Sequence, residues 1–523
     1  MGVLPRRCLL VPLSLAGVLS SAGILSAQFT PILEWSWTSS GVNPTALNVM
    51  MTPSVIDLNG DGVPDVVFAS TASPLGGLVE VGFLRALNGN NGSEIFTVNA
   101  PLVSTTSSIA TGDIDLDGLP EIIACGTGGN TLIAFEHDGT FKWQSPPLES
   151  INWGAPSIAD LNQDGTPEII VGRQALSNNG LVLWTGTGTN GGGTVGPLSL
   201  VSDIDVDGSP EVVAGRTVYS STGAIEHQNL GIPDGTNAVA NFDADPEAEV
   251  VLVAGGQVWL LQHTMAVIWG PVLIPGGGNG GPPTIADYDG DGQPEIGVAG
   301  ASRYTVFETN GTVKWAAVVQ DGSSNRTGSS VFDFEGDGAA EVVYGDELRL
   351  WVFRGSDGAE LFQTPKSSCT WHEYPLVADV DGDGDAEILG VANNNCAFGP
   401  QRGVYVWGDP DQEWVLTRPL WNQHTYHITN VNVDGSIPAV EQNNWQVPGF
   451  NNFRLNEFGQ FEGPICDIDA NRQVDRNDIN AILAGRNQPA VPGDARDFDG
   501  DGIITVKDAR ACVLQCTNAL CAP

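Results

Sequence analysis

Positive charge is what this sequence has least of: 21 Lys and Arg stand against 62 Asp and Glu, a formal net charge of −41. Binding to nucleic acid needs a basic face that neutralises phosphates, so that class of function is excluded. Histidine is also scarce, with six in the chain, and neither Gly-x-Ser-x-Gly nor His-Glu-x-x-His occurs. The serine-hydrolase elbow and the zinc-protease helix are therefore missing. No sustained helical periodicity precedes residue 470. Beyond the N-terminus no apolar run is long enough to cross a bilayer.

Turn-forming residues are plentiful instead. The 66 Gly and 33 Pro punctuate the chain as in many-stranded all-β proteins. Acidic chains are often disordered, but 14 Trp and a hydrophobic content of 41% supply a large core. Arg6 and Arg7, the mostly apolar stretch Leu9 to Leu25, and the small residues Ser26 and Ala27 form a signal-peptide pattern. Cleavage is expected after Ala27, or after Ala22 because Leu25 is bulky for the −3 position. The mature chain is expected to be exported (extracellular, cell-surface or periplasmic) with no membrane span. Export permits disulfides. Cys369 and Cys396 sit in one repeat and are expected to pair. Cys466, Cys512, Cys516 and Cys521 cluster near the end, with three connectivities open. Cys125 follows the apolar Ile122-Ile123-Ala124 and is expected to be a buried free thiol.

One acidic motif occurs eight times. Its slots 1, 3, 5 and 9 hold Asp57, Asn59, Asp61 and Asp65, then Asp113, Asp115, Asp117 and Glu121. The next two copies hold Asp160, Asn162, Asp164 and Glu168, and Asp203, Asp205, Asp207 and Glu211. The fifth is degenerate, with Asn241, Asp243, Asp245 and Glu249, and Pro246 in place of the slot-6 glycine. The last three hold Asp287, Asp289, Asp291 and Glu295; Asp333, Glu335, Asp337 and Glu341; and Asp379, Asp381, Asp383 and Glu387. The starts lie 56, 47, 43, 38, 46, 46 and 46 residues apart, the size of one four-stranded propeller blade. A short apolar run precedes each loop and a β-rich run follows it. Hairpin signals come next, as in Asp138-Gly139 and Asn310-Gly311, each leading to an aromatic strand ending in Trp143 or Trp315. The segment Ile32 to Trp37 looks like such an outer strand without a blade of its own. It is expected to close the ring by pairing with the last blade. The expected fold is thus all-β, a closed propeller of eight blades. Seven blades with one loop outside the ring is the alternative.

Oxygens at slots 1, 3 and 5, a glycine for the sharp turn at 6, a carbonyl at 7 and an acid at 9 can converge on one cation. Such hard, charged oxygen donors suit Ca²⁺ better than zinc, copper or magnesium. The four slots of the eight loops hold 29 of the 62 acids, and crowded carboxylates repel unless a cation lies among them. The repeats resemble the FG-GAP/VCBS repeats of integrin-α-type propellers, over about residues 45 to 410. The resemblance implies multiple bound Ca²⁺ ions, one in the loop between two strands of a blade. This chain departs from that pattern in carrying Glu rather than Asp in most slot-9 positions.

From Arg418 to Asn456 the repeat breaks, and this stretch is expected to cap the propeller. From Cys466 the grammar changes again. Asp467, Asp469, Asn471, Asp475 and Asp478 take EF-hand positions 1, 3, 5, 9 and 12, as do Asp497, Asp499, Asp501, Thr505 and Asp508. Short helices are predicted over 478–483 and 508–515. Two such units with Asp at position 12 resemble a type I dockerin, which implies a cohesin-type protein partner. The four cysteines are foreign to that pattern. The expected layout is a signal peptide at 1–27, a propeller at 28–417, a capping tail at 418–463 and a dockerin-like calcium module at 464–523.

Two functions are consistent with this reading. The first is a calcium-binding propeller that takes a glycan or extracellular protein ligand for adhesion or assembly. The second is a calcium-dependent polysaccharide-degrading enzyme, a lyase or glycoside hydrolase, or a non-catalytic subunit of such a system. His372 and Glu373 beside Trp371 and Tyr374, or His424 with Arg418, are the candidates for its acid–base and stacking groups. A quinone-dependent propeller dehydrogenase lacks a supporting motif.

Overall fold

The apolar triplet before each acidic loop pairs with the β-rich run after it, so every loop joins the first two strands of an antiparallel sheet. In the third repeat Ser157–Ala159 pairs with Glu168–Val171, and Ala159 lies opposite Glu168. The structure, a computed structural model, describes residues 29–456 except 73–80, 194–195, 325 and 411, together with 468, 476–486, 488, 496 and 503–513. The signal-peptide segment lies outside them.

Eight sheets follow one another around a ring. Their first strands are Ser54–Ile56, Ala110–Gly112, Ser157–Ala159 and Leu200–Ser202 in blades 1 to 4. Thr236–Ala240, Thr284–Ala286, Ser329–Phe332 and Leu376–Ala378 open blades 5 to 8. First strands of neighbouring blades touch around the axis, and the fourth strands form the rim. The degenerate fifth loop still joins Thr236–Ala240 to Glu249–Ala254, so it belongs to a full blade and the seven-blade alternative falls.

Closure is as the sequence suggests. Ile32–Trp37 pairs antiparallel with Gly403–Gly408 and supplies the fourth strand of blade 8. Adjacent blades are locked by the outer-strand aromatic. Trp143 of blade 2 stacks over the hairpin Gly180 of blade 3 and donates its indole N–H to the Asn178 carbonyl at 2.9 Å. Trp184, Trp269 and Trp315 repeat the contact one blade further on, and Trp35 closes the circle over Gly92.

The tail packs into the centre of the ring. Trp421 exchanges two backbone hydrogen bonds with Val55 of blade 1, and the Asn422 carbonyl accepts from Thr111 of blade 2. Gln423 accepts from Ile158 of blade 3. On the return, Phe453 pairs with Ile285 of blade 6, Arg454 accepts from Val331 of blade 7, and Asn456 donates to Val377 of blade 8. These partners are all on the innermost strands, so the segment plugs the axial channel. Its isolated bridges, Val55–Trp421 and Ile285–Phe453 among them, are single pairings of edges that would otherwise leave buried amides unsatisfied.

Cys369 and Cys396 form a disulfide, and Cys125 is a buried free thiol. Burial pushes the Cys125 thiol up to about 12, which makes it inert. Near the C-terminus two short helices, Arg476–Ala484 and Val506–Val513, pack through Ile482, Ile504, Ala509 and Cys512. No helix among the described residues is long and apolar enough to cross a membrane.

Candidate cation-binding loops

Each acidic loop is tied by its own carboxylates. Asp160 takes the backbone N–H of Asp164 at 3.0 Å and that of Gly165 at 2.6 Å. The slot-5 Asp164 accepts from Thr166 at 2.9 Å. The same slot-6 to slot-1 bond recurs in loops 1, 2, 4, 6, 7 and 8. Slot 6 must be glycine here, because its φ lies in the left-handed region, +87° at Gly165. In loop 5, Pro246 has no N–H to give. Asn241 instead donates to the Asp245 carbonyl at 2.5 Å, and the plug holds the loop from outside through Asn451 and Trp445.

Slot 9 is the first residue of the second strand and is buried in all eight blades, at 5% exposure or less. One of its oxygens always accepts from the slot-2 backbone N–H, at distances from 2.7 Å for Glu387 to 3.4 Å for Glu341. The other faces the loop acids. In Asp65, Glu249 and Glu295 that second oxygen is buried with no hydrogen-bond partner. In Glu168 it accepts from Asn162 at 2.9 Å. A buried anion with an unfilled lone pair is costly, and the site responds electrostatically. Burial, reinforced by neighbouring loop acids, raises Asp65 and Glu249 to about 7, Glu211 to about 9 and Glu387 to about 10. Glu341 also rises to about 10 through burial and then the adjacent Glu335.

All four slots come together in loop 4, and three of the four in several other loops. Asp203, Asp205, Asp207 and Glu211 each offer an oxygen, all within 4.8 Å of one another. Similar groups form from Asp113, Asp115 and Glu121, from Asp287, Asp289 and Asp291, and from Asp333, Glu335 and Glu341. The degenerate loop 5 does the same with Asp243, Asp245 and Glu249. All-oxygen donor sets with an unfilled buried oxygen fit a hard divalent cation such as Ca²⁺.

Sequence reasoning missed one position, the residue before the outer-strand aromatic. Lys142 Nζ lies 2.6 Å from Asp115, 2.9 Å from Glu121 and 2.9 Å from Glu136. Lys314 makes the matching contacts with Asp289 and, at 3.2 Å, with Glu308, and lies 3.6 Å from Glu295. The signal was available: the two Lys-Trp strands follow almost the same hairpin sequence, each with a glutamate two residues before its Asp-Gly or Asn-Gly turn.

The candidate catalytic groups are not presented to solvent. His372, Glu373, Tyr374, His424 and Arg418 are all buried. Burial, with Arg454 and His372 nearby, holds His424 well below the usual histidine range, so it stays neutral. Arg418 bonds the Ile428 and Val431 carbonyls of the plug. Trp371 is half-buried against Trp153, 4.4 Å between ring centres. In the C-terminal module, Asp478 is buried and accepts from the Ile468 N–H at 2.7 Å. Thr505 precedes the second helix and Asp508 lies within it. Asp467, Asp469, Asn471, Asp475, Asp497, Asp499 and Asp501 lie outside the described residues, as do Cys466, Cys516 and Cys521.

Ring, closure and loops together define an eight-bladed β-propeller with FG-GAP-like repeats. Residues 57–124, 113–171, 287–344 and 333–390 match the FG-GAP-like repeat. Each span runs from the first acid of one loop into the second strand of the next blade. Among solved structures, the biofilm matrix protein Bap1 of V. cholerae is similar, with a TM-score of 0.70 and 22% identity over 82% of this chain and 98% of that one. A rhamnogalacturonan lyase of Bacillus licheniformis reaches 0.49 at 16% identity, covering 69% and 71%. A quinohemoprotein alcohol dehydrogenase of Pseudomonas putida reaches 0.44 at 12%, covering 72% and 75%. The last two superpose too loosely to bear on function. No curated protein matches the chain.

Proposed function

We propose that this is a secreted calcium-loaded propeller that binds an extracellular ligand, glycan or protein, as an adhesion or assembly component. The observation that carries it is the slot-9 carboxylate, buried in every blade, with its free oxygen in Asp65 and Glu249 aimed among further acids. Calcium would be held by slots 1, 3, 5 and 9 and would supply the charge that lets those loops stay tight. The plug closes the axial channel, so a ligand is taken on a face of the ring rather than through it. The N-terminal signal pattern supports export. The likeness to a biofilm matrix protein supports an extracellular structural role. The C-terminal module, in this reading, holds calcium in its two EF-hand-like loops and docks to a cohesin-type protein.

The test has two parts on the full mature chain. Chelation should lower the melting temperature by well over ten degrees, and calcium should restore it. Binding to a glycan and matrix-protein array should be calcium-sensitive. Unchanged melting after chelation, with fewer than about two ions per chain, overturns the calcium reading. Turnover of pectin-like polysaccharide would replace the binding role by the enzymatic one.

A further inference from the structure

The fourth strand of every blade contains an irregularity at the same point, and blade 5 has a second one further along. In blade 2 Phe135 pairs with Phe141 and Ala134 with Trp143, so Lys142 is skipped. In blade 6 the skipped residue is Lys314. In blade 4 it is Glu226, and in blade 8, on the closing strand, it is Glu34. The odd blades skip Ile95, Leu183, Ile268 and Leu361. A bulge leaves its extra residue unpaired and re-aims the side chain. In the even blades it is aimed at the acidic loop of its own blade. Lys142 bonds slots 3 and 9, while Lys314 bonds slot 3 and lies 3.6 Å from the slot-9 Glu295. Glu226 repels Asp205 and Asp207, and Glu34 repels Asp381 and Asp383. The bulge is therefore a further position beside the loop, carrying lysine, glutamate or nothing charged.

The lysines are seated rather than merely near. Their side chains are 16% and 10% exposed, whereas Leu183 and Ile95 at the same position are 52% and 44% exposed. Each lysine also has a third carboxylate, Glu136 or Glu308, the residue whose backbone N–H closes the hairpin. The residue in that hairpin place is Asn88, Ser177, Ser220, Gln262 or Arg354 in the five other complete hairpins of blades 1 to 7. Lysine and glutamate thus occur together or not at all, as a cradle built for an ammonium would require. An ammonium offers three donors and a single charge, fixed to the chain without loss of translational freedom.

We infer that Lys142 and Lys314 are tethered cations standing in the divalent ion's place, so that blades 2 and 6 fold without metal while the other loops depend on it. This rests on the calcium reading above. The experiment counts calcium per full-length chain by mass spectrometry and calorimetry after equilibration at fixed free calcium. Lys142→Leu and Lys314→Leu, which install the odd-blade residue, should each add one ion, and the double variant two. The converse variant carries Leu183→Lys with Ser177→Glu, transplanting the cradle to an exposed bulge of blade 3. It should hold one ion fewer, and it decides the matter should the leucine variants fail to fold. A nonzero count that is the same in all these proteins overturns the inference while leaving the calcium reading intact. No calcium in any of them overturns both.

Discussion

The slot-9 carboxylates fix how the metal-free protein should respond to pH. In the unfolded chain a glutamate titrates at about 4.3. In the folded metal-free chain burial raises Asp65, Glu168 and Glu249 to about 7 and Glu387 to about 10. The folded state then binds more protons than the unfolded one, so stability is greatest below the unfolded value and declines as pH rises toward the folded ones. With chelator present, the melting temperature should fall from pH 5 to pH 8, and the increment from calcium should grow over that range. A flat or rising profile in chelator would contradict the burial argument. Glu387→Gln should separate the two contributions. It removes the cost of protonating a buried carboxyl on folding above its unfolded value, so it should stabilise the metal-free chain. It should also cut the calcium increment by about 1–3 kcal/mol, the cost of an unmet buried polar partner. Differential scanning calorimetry with and without calcium reads both. The slot residues were legible in the sequence because oxygen donors at fixed spacing have few other uses. Lys142 and Lys314 were not, because spacing along a strand does not reveal a bulge.

At the level of elements, the blade-to-blade lock makes glycine necessary at the hairpin tip. A Cβ on Gly180 would stand 2.5 Å from Cε3 of Trp143, and the backbone there has φ +80°. Gly449, with φ +88°, has nothing within 4 Å. Gly180→Ala should therefore destabilise more than Gly449→Ala by about 1–3 kcal/mol, the usual cost of overpacking. Equal losses in urea unfolding would mean that the tryptophan can move aside. Hairpins, loops and the orphan strand at Ile32 were readable beforehand, since turn chemistry and alternation are local signals. The packing of Trp143 on the next blade was not, because the partner glycine is a full hairpin away. The plug was hidden for a related reason. Trp421, Gln423 and Arg454 satisfy backbone groups of strands more than a hundred residues distant, and no local pattern encodes that.

For the whole molecule, closure by the first strand is the feature with the widest reach. Removing residues 29–37 would expose Gly403–Gly408 as a free edge, and free edges recruit other chains. Such a truncated protein should self-associate in light scattering, and one that stays monomeric would show that the plug alone holds the ring. Eight repeats of one sheet were plain from the acid spacing, yet the ring's filled centre and its blade-specific charges emerge only in three dimensions.

Trp37 pairs with Val404, so the last partner of the opening strand is made long after it. A chain synthesised from its N-terminus must keep an aromatic-rich segment waiting while seven sheets assemble, and contacts between such remote residues form slowly. The ring is thereby a completion test: a truncated translation product has no partner for its own beginning and stays open to proteases.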